Sequence, residues 1–458
     1  MSAPRIAVIL AAGRGTRLRS RLPKVLHQAG GKPLLAWPLD LAAEVGCERR
    51  IVVANSESLA ALQRAFPDPT IEWQIQDPPR GTGDALACGL RSVVGDAAVL
   101  VLSGDAPLLT RDTAERLLAH ADAGAGAMAV AWVERPGSLG RVFANAHGAL
   151  ERIVEVADAR PEELEHGLVN AGFYAFSVRA LAPQLADLEP HNAQGELYLT
   201  DAVVAAAATT PVALVELEAG EALGVNSRAD LARVQRALIE RVAARLMDEG
   251  VTLLDPHSTV IDAEVTVGAD TIIHAGVHLL GRCRIGRGCV LHAGAWIRSS
   301  VLEDEVEVLP YSVVDQARVG PGSTVGPFAR LRPGTELADD VRVGNFVEVK
   351  NARLETGVRA GHLAYLGDAT VGAGTNIGAG VVTCNYDGAR KHHTTIGRDA
   401  FVGSDTMLVA PVTVGDRATT AAGSVITHDV PDDALAVARA RQRVVPDWSK
   451  RRPRGEEH

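Results

Sequence analysis

Two groups of residues in this sequence have the types and spacing that chemistry requires. In the first, Leu10-Ala11-Ala12-Gly13-Arg14-Gly15-Thr16-Arg17 closes an apolar run. Its small residues would let backbone N–H groups approach phosphate oxygens, and Arg17 and Lys24 add positive charge. The spacing is neither a Walker A loop nor the dinucleotide G-x-G-x-x-G, so alone it reads as an ordinary turn as readily as a phosphate site. In the second group, Arg332 and Lys350 lie eighteen residues apart and are followed by His362 and Tyr365. A histidine can exchange a proton near neutral pH, and two cations held close favour an anion between them. Each residue also has a structural reading. Asp105 and Asn226 could cap helices, Lys24 could be a surface charge, and a lone histidine is more often structural.

The elements that must position these residues change character along the chain. Up to about residue 225, apolar runs such as IAVILAA, RIVVAN and AVLVLSGD alternate with helix-like stretches such as PLLAWPLDLAAEVG. This is the α/β pattern of a Rossmann-like domain with a mainly parallel sheet, whose ligands sit at strand C-termini. From Ser227 to Glu249, apolar residues fall at helical spacing, with Ser227 as N-cap and Gly250 as stop. Such a helix spans about 35 Å and is expected to be the spacer between domains.

Beyond Gly250, Val267, Ile273, Leu279, Ile285, Leu291 and Ile297 recur at intervals of six, as do Val313, Val319, Val325, Leu331, Leu337, Val343 and Val349. Further in-phase stretches run through Val371 and Ile377, and through Ile396, Val402, Leu408, Val414, Thr420 and Ile426. The position four residues on is usually small, as a coil with a narrow interior requires: Thr271, Cys283, Cys289, Ser323, Ala329, Thr335, Thr375, Ala400, Thr406 and Ala418. The repeat predicts a parallel β-helix. The expected division is 1–226, a linker helix at 227–249, and 250–458. Two phase breaks, one between Val349 and Val371 and one between Thr383 and Ile396, are expected to carry the chemistry, because local violations of a consistent pattern mark functional sites. If three hexapeptides make one turn, Arg332 and Lys350 stack one strand spacing apart. A solenoid's exposed strand-rich flanks predict a homo-oligomer.

Bulk properties bound the function. With 458 residues, two domains are expected, and a formal net charge of −10 argues against a nucleic-acid binder. The run Ile6–Ala12 is too short to span a bilayer and follows no basic segment, so no membrane association is expected. Five cysteines (Cys47, Cys88, Cys283, Cys289 and Cys384) contain no C-x-x-C pair, which fits a reducing, cytoplasmic setting without a zinc site or disulfide framework.

The opening segment resembles that of the sugar-phosphate nucleotidyltransferases, with L-A-A-G at Leu10–Gly13, G-T-R at Gly15-Thr16-Arg17 and P-K at Pro23-Lys24. The likeness continues through Gln76, Gly81-Thr82-Gly83, Ser103-Gly104-Asp105, Gly140, Glu155, Asn170 and Asn226, in the order found in bifunctional N-acetylglucosamine-1-phosphate uridylyltransferase/glucosamine-1-phosphate acetyltransferases. The resemblance implies that Gln76, Gly81 and Thr82 read uracil, and that Asp105 and Asn226 hold Mg²⁺. It implies that Gly140, Glu155 and Asn170 hold the N-acetylated sugar, while Arg17 and Lys24 neutralise charge as the sugar phosphate attacks UTP. Leu10, Ala11, Ala12, Gly13, Ser103 and Gly104 complete the UDP-N-acetylglucosamine contacts. Ser103 and Leu139 depart from the aromatic residues frequent at those positions.

The second half resembles the acetyltransferase half of the same family, a left-handed β-helix. His362 matches its catalytic base. Arg332 and Lys350 match its phosphate-binding positions, and Glu348, Tyr365 and Asn376 match positions around glucosamine 1-phosphate. Ala379, Asn385, Tyr386, Ser404, Ala422 and Arg439 match acetyl-CoA positions, although Arg439 could instead belong to the basic tail Lys450-Arg451-Arg452-Pro453-Arg454. The family further implies a homotrimer with shared acetyltransferase sites and a product that feeds cell-envelope polysaccharides. The competing readings are a nucleotidyltransferase whose β-helix only oligomerises, a scaffold with decayed sites, and an enzyme with a changed sugar or nucleotide. A purely structural solenoid has no need of the His362, Lys350 and Arg332 group.

Overall fold

A computed structural model describes residues 3–190 and 192–451, and the chain divides into two compact units between residues 239 and 240. Arg452, Pro453 and Arg454 of the basic tail lie outside the described residues.

The first unit is built on a nine-stranded sheet. Its strands are β1 (Arg5–Leu10), β2 (Arg49–Ala54), β3 (Ile71–Ile75), β4 (Ala98–Ser103), β5 (Gly126–Trp132), the hairpin β6 (Arg141–Ala144) and β7 (Leu150–Val154), β8 (Leu168–Ser177) and β9 (Val212–Glu216). The main order is β9-β5-β8-β4-β1-β2-β3. It is mainly parallel, but β8 runs antiparallel to both β4 and β5. Strand β1 shows why these runs read as unbroken apolar sequence. Ile6 and Val8 pack into one core with Met128 and Phe176, while Ala7 and Ile9 pack into the other with Leu39 and Phe173. A strand covered on both faces has no polar side. Each fully buried large aliphatic side chain contributes about 1.5–3 kcal/mol of burial free energy. The strand order reverses at β1, which lies between β2 and β4, and it is beside such a reversal, past the turns that follow β1 and β4, that open α/β sheets have their ligand crevice.

The helix Arg228–Asp248 starts in the first unit, where Val234 and Leu238 pack with Leu18, Leu34 and Leu108. Its last turns supply Val242, Ala243 and Leu246 to the core of the second unit. Ser227 Oγ accepts from Asp230 N at 3.2 Å, and Asp230 Oδ2 accepts from Ser227 N at 2.7 Å. This reciprocal cap satisfies N–H groups that the first turn leaves without partners. Gly250, at φ +92°, takes the chain out of the helix.

The second unit is a left-handed parallel β-helix whose short strands form three parallel sheets of eleven, ten and nine strands. The hexad aliphatics Ile273, Leu279, Leu291, Ile297, Leu331 and Val349 are fully buried, and so are the small residues Thr271, Cys289, Ser323, Thr375 and Thr406. The buried hydroxyls are satisfied within the coil: Thr271 Oγ1 donates to Gly286 O at 2.9 Å and accepts from Cys289 N at 3.1 Å.

One expectation about phase needs correction, and both breaks find a physical cause. Val314, not Val313, points inward, because the coil length drops from eighteen to seventeen residues, with Val290 opposite Glu307 and Val313 opposite Arg330. The stretch from Val349 to Val371 contains no insertion. Leu354, Ala360 and Leu366 fill the core there, and two five-residue steps account for the lost period. The second break is a true excursion: Val382 pairs with Met407, so that coil runs to twenty-five residues. The extra residues form a small hairpin with a bridge between Tyr386 and Lys391.

Candidate active sites

In the first unit, four residues distant in sequence converge on the crevice. Lys24 Nζ forms an ion pair with Asp105 Oδ2 and donates to Asn226 Oδ1 at 2.9 Å, and Arg17 Nη2 donates to the same Asn226 oxygen at 3.0 Å. The convergence is enforced by backbone: Gly104 N donates to Leu10 O at 2.9 Å, and Val225 N donates to Asp105 O at 2.9 Å. Gly15 sits at φ +60°, and a Cβ there would come within 2.6 Å of Lys24 Cβ. The turn that presents Arg17 therefore closes against Lys24 only because this residue is glycine. Ser103, the departure noted from sequence, donates from Oγ to Asp105 Oδ1 at 2.5 Å and so helps orient that carboxylate.

Gln76 is buried, and its amide nitrogen donates to Gly81 O and to Asp84 Oδ2, both at 2.8 Å. Gly81, at φ +121°, opens the helix Thr82–Leu90, and a Cβ on it would meet Leu197 O at 2.5 Å. Thr82 Oγ1 accepts from Leu199 N at 3.1 Å. Gly140, Glu155 and Asn170 also meet: a Cβ at Gly140 would fall 3.2 Å from the Glu155 oxygens, and Asn170 N donates to Gly140 O at 2.8 Å. Burial pushes the Glu155 carboxyl above the usual range, opposed by the Thr200 hydroxyl that donates to Oε1 at 3.1 Å. Glu155 also lines a cavity of about 550 Å³ with Asp158, Tyr198 and Asp201. Leu139 packs at the edge of one core, so the aromatic frequent there is replaced by an aliphatic side chain and not by a gap.

In the second unit, register does the positioning. Arg330 lies opposite Glu348 in adjacent strands, and Arg332 N donates to Val349 O at 2.8 Å, which stacks Arg332 on Lys350 one coil on. Arg332 Nη1 donates to Glu348 Oε1 at 2.8 Å, and Glu348 lies opposite Tyr365 in the next coil. His362 lies opposite Asn345, and its Nδ1 donates to Asn345 Oδ1 at 2.6 Å. With the proton on Nδ1, Nε2 of this exposed ring is left as the basic nitrogen. Asn376 pairs with Arg359 on the same sheet as His362.

The acetyl-CoA candidates form a track up one edge of the coils. Ala379 O accepts from Asp405 N at 2.7 Å, Ser404 O accepts from Gly423 N at 2.8 Å, and Arg439 Nη1 donates to Ala422 O at 2.9 Å. Arg439 is thus tied to the last coils. Tyr386 is 61% exposed on the excursion, whereas the Asn385 side chain is buried and donates to Asp368 Oδ2. The Asn385 amide nitrogen is therefore committed inside the protein.

Two residues of this site escaped the sequence reading. Lys391, from the excursion, stands beside Lys350. The Lys391 ammonium next to it, with desolvation and the charge of Arg332, pushes the Lys350 ammonium below its usual range. Asn345 fixes the His362 tautomer. Lys391 could have been suspected as a cation inside a phase break, and Asn345 as the residue one coil before His362.

Family models match along the chain: a MobA-like NTP transferase domain at residues 7–259, a GMPPB C-terminal domain at 259–356, and six bacterial transferase hexapeptide repeats at 393–428. Over 455 residues the sequence is 46% identical to the bifunctional protein GlmU of Trichlorobacter lovleyi, covering 98% of this chain and 99% of that one. The chain belongs to the bifunctional GlmU family. Bifunctional GlmU proteins of Acidithiobacillus ferrooxidans and an Anaeromyxobacter species are each 44% identical, over 97% and 98% of this chain and 98% and 93% of theirs. Among solved structures, a putative glucose-1-phosphate thymidylyltransferase of Bacillus anthracis aligns over 51% of this chain and 95% of that one, with 18% identity and a TM-score of 0.44. As a GlmU-family member the chain is a bifunctional transferase of UDP-N-acetylglucosamine synthesis, joining a uridylyltransferase to an acetyltransferase.

Proposed function

We propose that the His362 group of the second unit transfers acetyl from acetyl-CoA to the amine of glucosamine 1-phosphate, and that the Lys24–Asp105–Asn226 group of the first unit transfers uridylyl from UTP to the product. The boundaries 1–226, 227–249 and 250–458 separate the two activities. The observation that carries the reading is the stacking of Arg332 and Lys350 with Lys391 alongside, in the same coils as a histidine whose tautomer leaves Nε2 basic. A structural solenoid gains nothing from like charges held together; a sugar phosphate needs them.

In acetyl transfer, the three cations hold the phosphate, with Glu348, Tyr365 and Asn376 around the sugar. His362 Nε2 takes a proton from the substrate ammonium, and the freed amine attacks the thioester carbonyl. As the tetrahedral adduct collapses, the C–S bond breaks and CoA leaves as the thiol, protonated by His362, which then takes the second proton from the new amide nitrogen and releases it to solvent. Ala379, Ser404, Ala422 and Arg439 form the acetyl-CoA track, with Tyr386 contributing from the excursion. Ser404 or a neighbouring backbone N–H faces the developing oxyanion.

In uridylyl transfer, a phosphate oxygen of N-acetylglucosamine 1-phosphate attacks the α-phosphorus of UTP and pyrophosphate leaves. Arg17 and Lys24 neutralise the phosphates, and the Leu10–Gly13 turn lets its backbone approach them. Gln76, its amide nitrogen already engaged, offers its carbonyl to uracil beside Gly81 and Thr82. Gly140, Glu155 and Asn170 receive the sugar. Asp105 and Asn226 present hard oxygen donors that fit Mg²⁺, and the Lys24 ammonium between them already shows that the pair accepts a cation. Mg²⁺ bound there supplies further charge neutralisation on the phosphates.

A homotrimer through the β-helix is supported by an apolar corner stripe. Tyr311, Phe328 and Phe346 are exposed, sit at positive φ, and stack at 5.7 and 5.4 Å between ring centroids, with exposed Leu363 next in line. Exposing such a stripe in an uncommon backbone conformation is explicable when another copy covers it. No helix among the described residues is long and apolar enough to cross a membrane, and the use of UTP and acetyl-CoA as substrates supports a cytoplasmic setting. The test is to supply purified protein with glucosamine 1-phosphate, acetyl-CoA, UTP and Mg²⁺ and to follow free CoA thiol and pyrophosphate separately. Both should appear. Pyrophosphate without thiol, with N-acetylglucosamine 1-phosphate supplied, would make the β-helix an oligomerising module only.

A further inference from the structure

The excursion that carries Tyr386 and Lys391 is a hairpin with its own internal bonds. The Asp387 carboxylate accepts from Arg390 N at 2.6 Å and Ala389 N at 2.7 Å, and the Tyr386 hydroxyl donates to Gly388 O at 2.6 Å. Asn385 O accepts from His392 N at 2.8 Å and closes the base. A hairpin so braced moves as a body, and its orientation is set where it joins the coil.

At that junction stands Asp368, only 9% exposed, with its polar atoms in use. Its Oδ1 accepts from Asn351 Nδ2 at 2.5 Å, and its Oδ2 accepts from Asn385 Nδ2. Its backbone N donates to Lys350 O at 3.0 Å, and its backbone O accepts from Thr394 N at 3.1 Å. One residue thus ties the coil that holds Lys350 to both ends of the excursion. The buried carboxyl stays ionised: burial raises it, but the Asn351 and Asn385 N–H donors and the charges of Lys391 and Lys350 together hold it below the usual carboxylate range.

We infer that Asp368 is a positioning residue for acetyl transfer, clamping the root of the 385–393 excursion so that Lys391 is held at Lys350. The inference rests on the acetyltransferase reading above, and it assigns Asn385 a part in the clamp beyond any contact with acetyl-CoA. Asp368 touches no reacting atom. Its loss should act through the placement of Lys391, and so on sugar-phosphate binding before turnover.

The experiment uses the full chain with Asp368→Ala, Asn385→Ala and the swap Asp368→Asn/Asn385→Asp. Asp368→Ala should raise KM for glucosamine 1-phosphate about tenfold or more with a smaller change in kcat, as loss of hydrogen bonds to a charged group entails. Trypsin cleavage after Arg390 and Lys391 should accelerate by a similar factor, while pyrophosphate release stays at the parent rate. The swap, which restores an N–H···O pair across the root with donor and acceptor exchanged, should slow cleavage again. Unchanged KM and unchanged cleavage in Asp368→Ala would overturn the clamp. If that variant does not fold, Asn385→Ala, which leaves Asp368 on Asn351, decides in the same directions. Should the parent protein release no CoA thiol, the acetyltransferase reading falls while the trypsin arm still judges the clamp.

Discussion

The two units bring their candidate site residues together by opposite means. In the first, Arg17, Lys24, Asp105 and Asn226 come from turns after different elements, and they meet because strand order puts β1 beside β4. In the second, Arg332, Glu348, Lys350, His362 and Tyr365 lie on or beside strands of three successive coils, and they meet because each coil repeats the last at a fixed register. A loop site tolerates change in the sheet beneath it as long as its anchoring bonds survive. A register site tolerates none, since a one-residue slip turns every side chain to the other face. Coil length is therefore as much a functional variable in the second unit as residue identity.

Variants that act on one region only would break or sharpen this contrast. The largest effect is expected for Lys24→Ala, which removes the cation at the centre of the first site. Pyrophosphate release should fall by about two to three orders of magnitude, with thiol release from acetyl-CoA unaltered. Deleting Arg353, which lies outside the site, should abolish acetyl transfer nearly as completely, although it removes no side chain of the site. If activity survives, the claim that register positions this site is wrong. Lys350→Ala or Arg332→Ala should raise KM for glucosamine 1-phosphate by about ten- to a hundredfold, an effect weakened at high salt. The smallest kinetic change, several-fold in kcat with an altered pH profile, is expected for Asn345→Ala, which frees the His362 tautomer.

Glu155→Gln tests the loop-built site in a different way. Burial raises the Glu155 carboxyl, so the folded state keeps a proton that the unfolded chain has already released. Stability contributed at this position is therefore lost as pH rises from the ordinary glutamate value through the raised one. The variant should match the parent in Tm below about pH 4 and exceed it at pH 7, while binding N-acetylglucosamine 1-phosphate less tightly. Equal Tm at both pH values would show that burial costs Glu155 nothing.

How much of this was legible in the sequence follows the same division. The apolar runs of β1 and β4 and the hexad repeat announced both architectures, because burial on two faces and a narrow coil interior each leave a strong pattern. The reversal of β8 did not show, since a strand's direction is fixed by its connections and not by its own residues. The Val349–Val371 break comes from two shortened steps and not from a loop. A six-residue count cannot distinguish a loop from two shortened steps, whereas the pairing of Glu348 with Tyr365 does so at once. Lys391 and Asn345 were missed for one reason: neither has a motif around it, and each matters only through the neighbour that folding brings to it. Asn385 showed the converse, a matched position whose side chain is turned into the protein.

The independence of two active sites on one chain is what separates this enzyme from a nucleotidyltransferase with an inert β-helix. It is tested most directly by assaying His362→Ala and Asp105→Ala side by side, with thiol and pyrophosphate followed separately and N-acetylglucosamine 1-phosphate supplied for the second reaction. A crossed result is expected, in which His362→Ala loses only thiol release and Asp105→Ala loses only pyrophosphate release. Loss of both signals in either folded variant, or retention of thiol release by His362→Ala, would contradict it.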